Sequence, residues 1–175
     1  MDFKKAELRK TFRELRTLKR PVSNWNHLLL IDEIASAKVI ASYRSYGDEP
    51  DTKDLNDQLI AMGKILLLPR TNNEIEWVAW DGDVANLEPN GKLEEPKGPI
   101  FAGNIEVMII PALAIDKEGF RLGQGGGFYD RTLAKTKCWS IALINENELL
   151  EENLPNELHD QKVNAAATAT RIVRF

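Results

Sequence analysis

The amino-acid sequence predicts an α/β protein: a three-layer α/β/α sandwich around a largely parallel, mixed central sheet. Two observations carry that reading. Short β-rich runs alternate with stretches of helical period, and several of the runs are apolar throughout, as strands covered on both faces are. A third observation sets the scale: 175 residues, 43% hydrophobic and 29% charged, suit one globular domain with a sizeable core. A single domain over 1–175 is therefore expected, and disordered, collagenous and coiled-coil chains are excluded.

From Asp2 to Arg20, Leu8, Phe12 and Leu15 recur at helical spacing, and a second helical pattern runs from about Asn24 to Ala37 with Leu28, Ile31 and Ile34 or Ala35 inward. "KVIASYRSY" (38–46) changes the period to that of a strand and ends in the turn cluster "GDEPD". "TKDLNDQLIAMG" (52–63) returns to helix, with Gly63 placed as its stop, because glycine enters the left-handed conformation of a helix end without steric cost. "KILLLP" (64–69) reads as a buried strand, "EIEWVAW" (74–80) as another, and "GDVANLEPNGKLEEPKGP" (82–99) as a polar, proline-bearing connection. "EVMIIPALAID" (106–116) is the strongest strand signal, "SIALI" (140–144) is the next, and "ATRIVRF" (169–175) adds an edge strand. Sequence does not determine the order of the strands.

With 23 basic and 27 acidic residues the formal charge is −4, so the chain lacks the positive field that recruits nucleic acid or an anionic membrane. Apolar runs fall far short of the ~20 residues of a membrane span, and no secretory leader pattern opens the chain; a cytoplasmic protein is expected. Cys138 is the only cysteine, which excludes an internal disulfide, and its apolar context "KCWSIALI" reads as packing.

Four of the eleven glycines fall within 123–127, in "RLGQGGGFYDR" (121–131). Glycines allow successive N–H groups to face one point, and the helical "FYDRTLAK" (128–135) that follows adds its positive end, so the segment reads as a phosphate cradle. Neither common nucleotide signature fits: no G-x-x-x-x-G-K-[ST] occurs, and in G-x-G-x-x-G the last glycine would fall on Phe128. The fold is thus Rossmann-like without a dinucleotide fingerprint. Lys5, Arg9, Arg13, Arg16 and Arg20 form a basic stripe along the first helix, read as lying beside its apolar face, mostly solvated, with one or two near the amino end reaching phosphate.

These residues together resemble the 5-formyltetrahydrofolate cyclo-ligases, also called 5,10-methenyltetrahydrofolate synthetases. The match runs through "KAELRK" (5–10), "SYGDEPDT" (45–52), "KILLLPR" (64–70), "LEEP" (93–96), "IIPALAIDKEG" (109–119), "RLGQGGGFYDR" and "HDQKV" (159–163), in the family's order and over nearly the whole chain. The resemblance implies an ATP- and Mg²⁺-dependent ligase of one-carbon folate metabolism. It would convert 5-formyltetrahydrofolate to 5,10-methenyltetrahydrofolate with release of ADP and phosphate, by phosphorylation of the formyl oxygen and attack of N10.

Carried onto this sequence, the resemblance assigns Lys5, Arg9 and the run Arg121, Leu122, Gly123, Gln124, Gly125, Gly126, Gly127, Phe128 and Tyr129 to ATP. Arg121 also stabilises charge on the moving phosphoryl group. It assigns Arg44 and Glu49 to the folate site, and Asp130 and Asp160 to magnesium. A carboxylate at Glu49 suits the donor edge of a pterin, and Trp77, Trp80 and Tyr129 are candidate stacking surfaces. His159 is expected in a turn or supporting role. Read singly, Lys5 and Arg9 suit a solvated helix face, Asp130 a helix-dipole partner, and Asp160 and Glu49 loop acids; in family order they make a site. Two departures from the family's pattern, Asn164 where an acid is common and "NENELLEENLPNE" (145–157) without its usual glutamine, fall at the carboxy-terminal wall of the ATP site. Competing readings are an ATP-binding relative acting on another substrate, a non-catalytic ligand-binding domain, and a sugar-phosphate isomerase of similar architecture. The partners expected are reduced folate and ATP, with neither nucleic acid nor membrane; monomer and homodimer both stay open.

Overall fold

The computed structural model describes residues 2–175. Its helices are α1 (Asp2–Thr17), α2 (Asp32–Ser36), α3 (Lys53–Ala61) and α4 (Phe128–Lys135). The strands are β1 (Val39–Ala41), β2 (Ile65–Thr71), β3 (Ile75–Ala79), β4 (Leu87–Asn90), β5 (Leu93–Pro96), β6 (Val107–Pro111), β7 (Ala114–Ile115), β8 (Arg121–Leu122), β9 (Trp139–Leu143), β10 (Ala165–Ala167) and β11 (Ile172–Arg174). A seven-stranded sheet has the order β11-β10-β9-β6-β1-β2-β3. The block from β10 to β2 is parallel, and β11 and β3 close the two edges antiparallel.

The apolar runs are explained by two cores. Ile40, Leu66, Leu68, Val107, Ile109, Ile141 and Leu143 meet Leu28, Ile34, Leu55 and Leu59 on one face. Ala41, Leu67, Met108, Ile110 and Ala142 meet Tyr129 and Leu133 of α4 on the other. Each fully buried aliphatic side chain contributes roughly 1.5–3 kcal/mol, and a one-residue slip would exchange the two faces, so the register is firmly set. A third cluster, Phe12, Leu113, Ala114, Leu122 and Leu154 with Leu8 and Leu150 at its margin, seats α1.

The structure changes several expectations. Leu15 is 38% exposed, whereas Arg16 is 5% exposed and faces inward. Lys5 is buried as well and Arg9 is half-buried, so these three lie on the packed side of α1, not beside it, while Arg13 and Arg20 are exposed as expected. The helical pattern at 24–37 breaks into a 3-10 turn (Asn26–Leu30) and α2, with Ile31 extended between them. Asp32 and Glu33 open α2, where the positive end of the helix favours them.

Strand β1 ends at Ala41 because side chains then compete for the backbone: Thr52 Oγ1 and Asn56 Nδ2 both donate to the Tyr43 carbonyl, at 2.6 and 2.9 Å. The polar connection at 82–99 folds into the β4–β5 hairpin, turned by Gly91 at φ +62°. The run 106–116 splits at Ala112, and its second part, β7, pairs with β8. Strand β10, written "AAA", carries no β-branched residue; its pairing between β9 and β11 makes it a strand. Gly63 at φ +77° ends its helix as expected.

Candidate active site

Strand order opens the site. Strand β1 has β2 on one side and β6 on the other, so chain connections leave it in opposite directions and a crevice forms beyond the carboxyl ends. A cavity of about 360 Å³ lies there. Its walls come from the segment after β1 (Tyr43, Arg44, Glu49), the end of β2 (Pro69, Thr71), the residues after β6 (Ala112, Leu113), Leu93 of the hairpin, and the glycine segment.

The β7–β8 hairpin carries Arg121 to this cavity. Its turn is organised by Asp116, fully buried, whose Oδ1 accepts the N–H groups of Glu118 and Phe120 at 2.9 Å each. Asp116 Oδ2 accepts the Leu154 N–H at 3.0 Å, tying the turn to the segment that leads to Asp160. Gly119 has φ +89°, and a Cβ there would stand 2.9 Å from the Val163 carbonyl, so both conformation and space require glycine.

Beyond β8 the chain bends through Gly125 (φ +109°) into Gly127 (φ +66°), the N-cap of α4. Among the described residues no acceptor pairs with the backbone N–H groups of Gly123 through Gly127. They stand at the positive end of α4, an arrangement suited to phosphate oxygens.

Cations surround these amides. Arg9 Nε donates to the Gly123 carbonyl at 3.0 Å, and Arg13 donates to the side chain and carbonyl of Gln124 at 2.9 and 3.1 Å. Arg121 donates from Nη2 to Asp130 Oδ2 at 2.9 Å and lies 5.5 Å from the Tyr129 ring centroid. Its buried Nε has no partner among the described residues, which leaves a donor for an incoming anion. Lys5 Nζ stands 2.5 Å from Asp160 Oδ2 and 3.7 Å from Glu157 Oε1.

The two aspartates are brought to one wall. Asp130 Oδ1 accepts the Gln161 N–H at 3.2 Å, which holds the neighbouring Asp160 close, and Asp160 Oδ2 accepts the Glu157 N–H at 2.6 Å. Burial resists ionisation of Asp160, but Lys5 and the Glu157 N–H outweigh it and bring its pKa below the ordinary value. Among the described residues, no group of three or more His, Cys, Asp or Glu could hold a metal by itself. Two carboxylates beside a phosphate cradle do fit magnesium, which takes few protein ligands and completes its shell with phosphate oxygens and water.

Within reach of Gln124, half-buried Glu49 accepts the Tyr46 N–H at 3.0 Å. Burial pushes its carboxyl above the ordinary range, and the Tyr46 N–H, Arg16 and Gln124 pull it partly back. Arg44 pairs with Glu94 at 2.5 Å and lies 5.5 Å from the Trp80 ring centroid.

Every site residue expected from sequence lines the cavity: Lys5, Arg9, Arg44, Glu49, each residue from Arg121 to Asp130, and Asp160. His159 lines it too. Of the candidate stacking rings only Tyr129 does; Trp77 and Trp80 are core residues, and Trp80 supports Arg44 instead. Sequence reasoning did not single out Tyr43, Leu93 or Glu157 on the walls, although Leu93 lies in "LEEP" and Glu157 ends the 145–157 segment; nor did it connect Arg13, a member of the basic stripe, with Gln124.

The chain is similar to known proteins in both sequence and fold. A family model described as the 5-formyltetrahydrofolate cyclo-ligase family matches residues 4–169. A 5-formyltetrahydrofolate cyclo-ligase of Mycolicibacterium smegmatis is 34% identical over 149 residues, covering 78% of this chain and 76% of that protein. One of Escherichia coli K12 is 31% identical over 153 residues, covering 79% and 82%. The NMR structure of Aquifex aeolicus 5,10-methenyltetrahydrofolate synthetase superposes with a TM-score of 0.81 at 26% identity, over 97% of this chain and 92% of that one.

Proposed function

This chain belongs to the 5-formyltetrahydrofolate cyclo-ligase family, and from that premise we propose that it converts 5-formyltetrahydrofolate and ATP to 5,10-methenyltetrahydrofolate, ADP and phosphate. The observation that carries the reading is the single cavity shared by a bare-amide glycine turn, the cations Lys5, Arg9 and Arg121, and the acid Glu49. The glycine turn and its cations suit a polyphosphate, and Glu49 suits a ring with hydrogen-bond donors.

An amide is a poor electrophile because its oxygen leaves badly. In this reading the formyl oxygen takes the γ-phosphoryl group of ATP, N10 attacks the activated carbon, and phosphate departs with that oxygen. The protein positions two substrates and neutralises the charge in transit. The N–H groups of Gly123 to Gly127 cradle the phosphates, Lys5 and Arg9 meet their outer oxygens from α1, and Arg121 turns its buried Nε toward the transferring group. Glu49 accepts from the donor edge of the pterin, Tyr129 offers a ring face, and Arg44 borders the folate. Asp130 and Asp160 would hold Mg²⁺, which when bound draws negative charge from the phosphate oxygens. Small-molecule substrates in the cytoplasm complete the reading; among the described residues no helix is long and apolar enough to cross a membrane.

The test is to mix purified protein with 5-formyltetrahydrofolate, Mg²⁺ and ATP and follow the near-ultraviolet absorbance of the methenyl product. Product that requires all three additions is expected. Folded protein that gives none overturns the reading, and ATP binding without product points instead to a relative with another substrate.

A further inference from the structure

We infer that the buried Arg16–Glu148 ion pair is the register pin of α1, a positioning pair that sets the rotation and height of the helix so that Lys5 and Arg9 face the nucleotide phosphates. The inference rests on the proposed phosphate role of those two residues.

Arg16 Nε and Nη2 donate to Glu148 Oε1 and Oε2 at 2.7 and 2.8 Å, and Nη2 also donates to the Ala112 carbonyl at 2.5 Å. Glu148 in turn accepts the Asn145 N–H and Nδ2, both at 2.8 Å. The two side chains are 4% and 2% exposed. Neither Arg16 nor Glu148 lines the cavity, whereas Ala112 and the α1 cations Lys5 and Arg9 do.

Stability does not account for such a pair. Burying two charges costs about as much as their attraction returns, and well-packed apolar replacements are commonly neutral or stabilising; the best-attested use is to fix register. Helix α1 needs that service. Its apolar seat is Phe12 with Leu8 at the margin, and apolar contact is non-directional. Its polar contacts at Lys5, Arg9 and Arg13 all go to residues of the cavity wall, Asp160, Gly123 and Gln124, and would readjust when phosphate enters. Arg16 is seven residues from Arg9 and eleven from Lys5, close to whole numbers of turns, so all three share one face over about 16 Å of helix. A two-pronged pair at one end therefore aims the other end. Its anchor points, Ala112 and the turn after β9, grow directly from adjacent central strands β6 and β9.

The experiment uses the Arg16→Met, Glu148→Gln double variant, which leaves no buried charge and keeps an amide oxygen for the Asn145 N–H. Its urea midpoint should stay near that of the parent. Its KM for ATP should rise on the order of ten- to a hundredfold, the scale set by misplacing a binding group, with the KM for folate little changed. Spin labels on Lys10→Cys of α1 and Asp57→Cys of α3, in a Cys138→Ser background, should give a narrow distance distribution with Arg16–Glu148 intact and a broadened or shifted one in the double variant. An unchanged ATP KM and an unchanged distribution in folded double variant overturn the inference. If the parent itself shows no use of ATP, the proposed function fails while the distance measurement still decides the pin. Should the double variant not fold, Arg16→Lys keeps the charge, loses the two-pronged geometry, and reads the same quantities.

Discussion

Arg121 and Asp130 are nine residues apart, on β8 and α4, and meet with Nη2 at 2.9 Å from Oδ2. The glycines between them make that meeting by turning the chain back on itself, so one bend supplies bare amides, a buried cation and a carboxylate to one cavity. The pairing also decides what loss of the arginine should do.

Arg121→Ala removes the donor assigned to the moving phosphoryl group. Turnover is expected to fall by roughly 10²–10³, as when an oxyanion-hole donor is lost. Stability should fall by only ~1–2 kcal/mol, from the lost hydrogen bonds to Asp130 and Pro111. Parallel measurement of kcat and the urea midpoint separates the two; equal losses would make Arg121 a structural residue.

Two glycines separate conformational strain from steric need. Gly91 at φ +62° has open space where a Cβ would go, so Gly91→Ala should cost about 1–2 kcal/mol from the left-handed backbone alone. Gly119→Ala adds a Cβ 2.9 Å from the Val163 carbonyl and should cost distinctly more. Chemical denaturation of both variants measures the difference; equal costs would mean that the β7–β8 turn yields freely.

Glu49 gives a stability effect of the opposite sign to the usual paired carboxylate. Because burial raises its folded pKa above the ordinary 4.5, the charged form is carried at a cost that is full above the folded pKa and vanishes below 4.5, where the group is protonated folded or unfolded. Glu49→Gln should therefore raise the thermal midpoint at pH 7, with the gain fading as pH falls to 4, while the KM for folate rises. A thermal midpoint lowered at pH 7 would contradict the assignment of burial as the dominant cause.

Chelation should stop methenyl formation without melting the protein. Asp130 and Asp160 already have Arg121 and Lys5 as counter-charges, so the fold does not depend on a cation to neutralise them. EDTA is expected to abolish turnover and added Mg²⁺ to restore it, with the thermal midpoint of the nucleotide-free protein unmoved throughout. A chelator-induced drop in that midpoint would assign the metal a structural role.

Legibility varied with how local the signal was. The glycine segment could be read because its conformations are a property of the residue type, and β6 and β9 because their apolar runs demand cover on both faces. Strand β10 could not, since three alanines acquire strand character only from neighbours that are remote in sequence. The split at Ala112 was equally hidden: the apolar run continues through it, and only the pairing of β7 with β8 and the Arg16 hydrogen bond to its carbonyl redirect the chain.

By itself the sequence determined the α/β class, the helix-forming and strand-forming stretches and the glycine segment, because periodicity and glycine content are written along the chain; the other candidate site residues came from the resemblance to a family. Tertiary structure alone decided which faces those residues present. The basic stripe of α1 looked like a solvated flank, yet Lys5 and Arg16 are buried. A charge can be buried only where a partner meets it, and those partners, Asp160 and Glu148, lie 155 and 132 residues away. Strand order was likewise outside the sequence, and it is the placement of β1 between β2 and β6 that opens the crevice lined by Lys5, Asp160 and the glycine segment.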